Sequence, residues 1–314
     1  MESLQSLNRR KKAVSNIGAI TKAMEVVAAI KMRKNEEVAL DSQPYAFKAL
    51  ELLAKLVGAQ DGGTKFESEF SEPRETKKTL VVMITSDRGL IGSFNTQVLR
   101  AAESFMAVDG ERYDTEHTYS FIAVGKKADA FLAKKEFPIA EKFFGFGDFI
   151  EIEEIAPLFE FIINGYTNKD WDRVVTISMH FRSALKQETL IREILPLDVD
   201  KIKDSVKTLI PETGRYADDK KEFEAENKAI EYIFEPSPAE LIENLLPHLV
   251  KMDLYHLVLE ANASEHAARY VAMKSASDNA EDLVEKLMIE YNKARQAAIT
   301  GALVEMSATR SALK

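Results

Sequence analysis

The sequence predicts an α/β protein in which two long terminal helices form an antiparallel coiled coil and a central, Rossmann-like α/β domain is attached to them. Three observations carry this. Apolar and small residues recur every four and three positions at both ends of the 314-residue chain, the middle switches to short β-branched runs, and the C-terminal pattern runs almost without a helix breaker.

The N-terminal part, residues 1–60, reads as one long helix from about residue 3 to 58. Val14, Ile17, Thr21, Met24 and Ala28 form a stripe, and Ala13, Ile20 and Val27 a neighbouring column seven apart. Gly18 is tolerated at modest cost. Pro44 interrupts or kinks the helix, Tyr45, Phe47, Leu50, Leu53 and Leu56 prolong its apolar face, and Gly58–Thr64 ends it in turn-rich sequence.

The central domain, 75–236, alternates strand and helix patterns. LVVMIT (80–85), YSFIAVG (119–125) and VVTISMHF (174–181) read as strands; Asn95–Met106, Lys126–Lys135 and Ile152–Tyr166 read as helices. That alternation predicts a sheet with parallel pairing. Residues 198–229, rich in Asp, Glu and Lys, read as a solvated and partly mobile excursion.

The C-terminal part, 237–314, opens on Ser237 as cap, Pro238 in the first turn and Glu240 three positions on. Pro247 is expected to end or kink this first piece. From 248 to 310 there is no proline and no glycine before Gly301, and Val284, Leu287, Tyr291, Ala294 and Ala298 keep the four–three stepping. A helix of about 60 residues spans roughly 90 Å at 1.5 Å per residue. Mutual burial is the simplest way for two such stripes to leave water, with small residues (Ala13, Ala28, Ala294, Ala298) allowing close approach.

Composition excludes several functions. With no cysteine there are no disulfides, thiolate nucleophiles or Cys-based zinc sites. There is no run of about 18 apolar residues, so no segment is expected to span a bilayer, and MESLQSLNRRKK lacks a signal-peptide core. The net charge is -9, yet residues 1–34 hold eight basic side chains against Glu2 and Glu25, which is +6 there and -15 elsewhere. A basic end on an acidic protein suits a nucleic acid, a lipid surface or an acidic protein, and is also what a solvated helix face looks like. No aromatics interleave with the cluster, which argues against nucleic acid.

Chemistry-bearing motifs are thin. There is no phosphate-binding G-x-x-x-x-G-K-[ST], and Gly125-Lys126-Lys127 reads as a strand-to-helix turn. Gly145-Phe-Gly147 lacks the third glycine of a dinucleotide fingerprint. His117, His180, His248, His256 and His266 show no metal spacing; His256 and Glu260 are one helical turn apart, which by itself reads as structural. No catalytic, metal or cofactor-binding residue is expected.

Three segments carry a family resemblance. ITKAMEVVAAIKMRK (20–34) resembles I-T-K-A-M-x-x-V-A-x-x-K-M-R-K, the start of F-type ATP synthase gamma subunits. SDRGLIGSFN (86–95) is similar to their S-D-R-G-L-x-G-x-x-N. SEHAARYVAMKSASDNA (264–280) with YNKARQAAIT (291–300) completes the set in the family's order. The resemblance implies a central rotor shaft whose coiled coil runs through a hexamer of alpha and beta subunits. Its α/β domain then meets the epsilon subunit and the membrane c ring, and rotation driven by ions sets the beta sites through their affinities in turn. It implies no cofactor and no membrane contact except through the ring, on the cytoplasmic face of a bacterial inner membrane.

Residue by residue, the resemblance implies hexamer contacts at Lys22 and Met24, at Asp87, Arg88 and Ile91, and at Arg295, Gln296, Thr300 and Glu305. Tyr232, Phe234 and Glu235 in EYIFEPSP resemble the foot that touches the c ring and epsilon. One departure is plain: the family's I-T-x-E-x-x-E is here Ile299-Thr300-Gly301-Ala302-Leu303-Val304-Glu305, with only the second acid kept. The competing readings are a coiled-coil scaffold or arm with an α/β interaction module, a specialised motor derived from the same rotor, and an enzyme whose middle domain binds a nucleotide.

Overall fold

The computed structural model describes residues 3–41, 48, 49, 52, 56, 68–71, 74–113, 116–197, 235 and 237–312. The chain divides into two compact units, residues 30–268 and residues 1–29 with 269–314.

The larger unit is built on a five-stranded sheet. In chain order come the last part of α1 (Leu4–Asp41), β1 (Lys78–Ile84), α2 (Phe94–Gly110), β2 (Thr118–Val124), α3 (Lys126–Lys134), β3 (Ile139–Phe143), a 3-10 turn at Ile152–Ile155, α4 (Ala156–Thr167), β4 (Arg173–Phe181), β5 (Gln187–Leu195) and the first part of α5 (Pro238–Ala312). Strand order is β3-β2-β1-β4-β5. β1 pairs in parallel with β2, Val82 opposite Ile122, and with β4, Val81 opposite Val175. β2 and β3 are also parallel, whereas β5 runs antiparallel to β4.

β1 is apolar throughout its middle because both its faces are covered, as the inner strand of a parallel sheet must be. Leu80, Val82 and Ile84 join one core layer with α4 and the start of α5; Val81 and Met83 join the other with Val98, Ala102, Phe105, Ala128 and Leu132 of α2 and α3. The three strands expected from apolar runs are present. β3 and β5 had no such run, because each ends the described sheet and carries charge there: Glu141 and Lys142, and Glu188, Arg192 and Glu193.

The turn from β2 into α3 is fixed by Gly125, at φ 94°, as the Gly-Lys-Lys reading required. A Cβ there would lie 2.2 Å from the carbonyl oxygen of Thr85. Thr85 spans the same corner, its hydroxyl donating to Val124 O at 3.1 Å and accepting from the Ala128 amide at 2.9 Å.

Ser237 caps α5 as expected, its Oγ accepting the Glu240 amide at 3.3 Å. Pro247, however, does not end the helix, which is continuous from Pro238 to Ala312. An interior proline costs about 3 kcal/mol. Leu246, Leu249 and Val250 beside it are buried against the sheet, and each such side chain contributes about 1.5–3 kcal/mol, so packing outweighs the lost backbone bond.

Where α5 crosses β4 and β5 the contact turns polar. His180 Nδ1 lies 2.8 Å from Glu260 Oε2, and Arg192 Nη2 3.5 Å from the same oxygen. This ionic pairing holds Glu260 below the usual carboxylate range although burial opposes it. Asp253, two turns earlier on the same face of α5, is pushed up to about 6, chiefly by burial, despite the pull of Arg192. Burial likewise lowers His256 to about 4, so it is neutral at neutral pH.

The smaller unit pairs the first part of α1 with the last part of α5. Lys11 Nζ lies 3.8 Å from Met288 Sδ and 5.3 Å from the centre of the Tyr291 ring, while Gly18 faces Ala280; the helices are therefore antiparallel. The buried or half-buried positions include Leu7, Lys11, Val14, Gly18, Thr21, Met24, Glu25 and Ala28 on α1, and Met273, Ala280, Val284, Leu287, Tyr291 and Ala294 on α5. A Cβ on Gly18 would meet the Ala280 Cβ at 3.2 Å, so this glycine sets the close approach.

That seam corrects part of the expected stripe. Gly18, not Ile17, occupies it, and Ala13, Ile17, Ile20 and Val27 are exposed. Ala298 is exposed too, since among the described residues of the unit nothing covers α5 past Ala294. Pro44 to Phe47, Leu50, Leu53, Gly58–Thr64 and 198–229 lie outside the described residues; Leu56 is fully buried in the core of the larger unit.

Two outcomes are expected. Gly125→Ala destabilises the chain by at least about 2 kcal/mol, read as a lower urea midpoint; an unchanged midpoint refutes this account of the corner. Asp253 has a native pKa above its unfolded one, so its contribution is present below about pH 4 and lost as pH rises through about 6. Asp253→Asn therefore raises stability at pH 8 by about 1–3 kcal/mol and hardly at pH 4, measured by denaturant titration at both values; equal effects at both refute it.

Candidate functional site

The larger unit offers little ground for reaction chemistry. Among the described residues no group of three or more His, Asp or Glu side chains is arranged to hold a metal ion. The His256–Glu260 pair does not converge on an open site either: Glu260 is engaged by His180 and Arg192 in the interior. Beside the 86–95 turn lies an open groove of ≈ 510 Å³, lined by Leu90, Asn95, Lys127, Phe131 and Lys134 among others.

The paired helices offer surface instead. On α1, Ile17, Ile20, Val26, Val27 and Ile30 are between 49% and 61% exposed, which is a second apolar face beside the seam. On α5, Ile299, Leu303, Val304 and Met306 are more than half exposed. The span Leu4–Val38 is, by length and composition, long and apolar enough to cross a membrane, which corrects the expectation from the missing apolar run. Its middle carries the ion pair Lys22–Glu25 at 2.9 Å, with Glu25 only 7% exposed. The Glu25 hydrogen bond, against slight desolvation, raises Lys22 above its ordinary range. A helix apolar on so much of its circumference needs covering by something besides one partner helix.

The residues expected to make contacts fall in four places. Lys22 is exposed and Met24 half-buried at the edge of the seam. Arg295, Gln296, Thr300 and Glu305 are all exposed on the stretch of α5 beyond the seam. Only Glu235 of the foot is described, and it is exposed; Tyr232 and Phe234 lie outside the described residues.

The turn after β1 gathers the fourth group and separates its members. Asp87 is turned inward: Oδ1 accepts the Lys126 amide and Oδ2 the Gly145 amide, both at 2.9 Å. Ile91 is 2% exposed in the core. Ser86 Oγ donates to Arg88 O at 2.6 Å, Asn95 Nδ2 donates to Ser86 Oγ at 2.8 Å, and Leu90 and Gly92 have positive φ. These bonds push out the tip, where Arg88 is exposed and Leu90 is 66% exposed. Leu90 was missed from sequence, and so was the outer face of α1. The signal for the latter was present: apolar residues at 17, 20, 26, 27 and 30 exceed what a single seam holds.

Comparison with known proteins identifies the family. A family model described as "ATP synthase" matches residues 3–313. The ATP synthase gamma chain of Geotalea daltonii is 35% identical over 314 residues, covering all of both chains. That of Herpetosiphon aurantiacus is 34% identical over 319 residues, covering 100% of this chain and 99% of its own. Among solved structures, a chain of the Euglena gracilis mitochondrial ATP synthase OSCP/F1/c-ring assembly superposes with a TM-score of 0.61 at 18% identity, covering 99% of this chain and 94% of that one. A chain of the Tetrahymena thermophila mitochondrial ATP synthase central stalk/c-ring gives 0.54 at 22%, covering 82% and 99%. The structural likenesses establish the fold, the sequence matches extend end to end, and the chain belongs to the gamma-chain family of the ATP synthases.

Proposed function

We propose that this central-stalk subunit is a rotor without a catalytic site of its own, coupling ion-driven rotation of a membrane c ring to ATP chemistry in a hexamer of alpha and beta subunits. The observation that carries this is the exposed apolar surface of α1 and of the end of α5, which two paired helices leave uncovered. A sleeve of subunits around the pair covers it without requiring that α1 enter a lipid bilayer. The coiled-coil scaffold and specialised-motor readings are not favoured by relatives that match end to end as ATP synthase gamma chains.

On this reading the chain works as three parts: helix 1–60, domain 75–236 and helix 237–314. Lys22 and Met24 meet the hexamer from α1, and Arg295, Gln296, Thr300 and Glu305 meet it from α5. At the turn, Arg88 makes the contact with Leu90 beside it, while Asp87 and Ile91 shape the tip, as the two backbone amides held by Asp87 and the burial of Ile91 support. Tyr232, Phe234 and Glu235 form the foot on the c ring and the epsilon subunit. The assembly sits on the cytoplasmic face of a bacterial inner membrane, touching the bilayer only through the ring.

The purified chain is expected to hydrolyse no ATP, and mixing with matching alpha and beta subunits to give a stable complex that does. Turnover by the chain alone that survives further purification overturns the non-catalytic reading; failure to form an active complex overturns the rotor reading. Ala302 tests the shaft tip, since a glutamate there regains an acid that relatives carry. A hydrogen bond to a charged group is worth about 1.5–3 kcal/mol, so Ala302→Glu is expected to lengthen a catalytic dwell by about tenfold in single-molecule rotation. An unchanged dwell in a normally assembled complex shows that the missing acid weakened nothing.

A further inference from the structure

The segment Phe144–Phe149 contains the Gly145-Phe-Gly147 motif, which binds no dinucleotide on the reading above and has no assigned role. Its bonds are unusual for a connecting loop. Gly145, at φ 76°, donates its amide to Asp87 Oδ2 at the root of the 86–95 turn. Gly147 O accepts from Asn262 Nδ2 of α5 at 3.1 Å. Asp148 then uses one oxygen for each long helix: Oδ2 takes Lys31 Nζ of α1, and Oδ1 lies 3.0 Å from His266 Nε2 of α5. Lys34 of α1 sits 5.2 Å over the Phe149 ring, and Tyr255 of α5 donates to Ile150 O at 3.0 Å. One short strap thus bonds to the turn, to α1 and to α5, all within the larger unit.

We infer that this strap is a load path: it carries force from the Arg88–Leu90 tip to both stalk helices, with Asp148 as the joint that makes α1 and α5 move as one body with the domain. The inference rests on the rotor reading, because only a loaded tip gives the strap a force to carry. Its placement supports it. Lys31 and His266 lie within three residues of the points in sequence, 29/30 and 268/269, where each helix passes from one unit into the other. Asp148 and Lys31 keep side-chain exposures of 43% and 28%, and half-exposed ion pairs add little to fold stability. A joint of this kind is suited to fixing geometry, with the fold held by the apolar layers beneath. Asp148 is a positioning residue and touches no substrate.

The test uses the assembled complex with Asp148→Asn, and Asp148→Glu as the conservative variant. Amide hydrogen exchange within 144–149 should speed up about threefold in the first, and the angular spread of the rotor during its ATP-waiting dwell should widen while maximal hydrolysis is kept. Asp148→Glu should restore both, and 0.5 M salt should move the wild type toward Asp148→Asn because screening reaches exposed pairs (about a 3–5 Å screening length at such salt). Unchanged exchange overturns the joint. Faster exchange without wider angular spread overturns the load path and leaves the rotor reading intact. If the wild-type chain does not assemble and rotate, the rotor reading falls and takes the load path with it. Should Asp148→Asn assemble poorly, Lys31→Met and His266→Gln each remove one arm of the joint and should widen the spread; normal spread in both overturns it.

Discussion

Everything distinctive about this chain follows from how little apolar surface one helix pair can bury. α1 gives its stripe through Leu7, Val14, Gly18, Thr21, Met24 and Ala28, and α5 answers with Ala280, Val284, Leu287, Tyr291 and Ala294. The close approach at Gly18 narrows that seam further, because two backbones drawn together leave no room for large side chains between them. Ile17, Ile20, Val26 and Val27 are therefore displaced onto the outside. The helices acquire an apolar exterior in the same act that pairs them, and a subunit shaped for enclosure results.

The sheet domain obeys a different economy of burial, with several of its buried charges paired internally. Arg173 ties β4 to Asp109 at the end of α2 at 2.9 Å and to Glu193 on β5 at 2.9 Å, and the Tyr119 hydroxyl donates to the same Asp109. Burial and the Asp109 bond push the Tyr119 hydroxyl far above its ordinary range. On the layer facing α5, His180, Arg192 and Glu260 do the same service where apolar packing gives out. Removing one member of such a set leaves the others charged and poorly solvated, so these clusters fix which way the strands and helices meet more than they add to stability.

Sequence periodicity revealed the architecture because the elements at its centre have one environment each. β1, β2 and β4 are covered on both faces, so their apolar runs are continuous; α5 is buried nearly all round between Leu254 and Ala263, so its pattern never breaks. Elements with mixed surroundings were harder to read. β3 and β5 end the described sheet and carry the charges an edge needs, and Pro247 lies where local propensity and tertiary packing disagree. The contact residues show the same limit. Resemblance placed Asp87, Arg88 and Ile91 together in one turn, but only the hydrogen bonds of Ser86, Asp87 and Asn95 reveal that its two ends are held by the domain, leaving Arg88 and Leu90 at the tip.

The exposed exterior of α1 has a consequence for the cell that makes this chain. Until its sleeve is present, Ile17, Ile20, Val26 and Val27 face water in one contiguous helix segment, and surfaces of that kind attract one another, other nascent chains and chaperones. Surplus subunit is a liability for solubility and proteolysis. Synthesis matched in amount and time to that of the enclosing subunits is the cheapest remedy, so the helix that serves the assembled machine also sets how the machine's parts must be supplied.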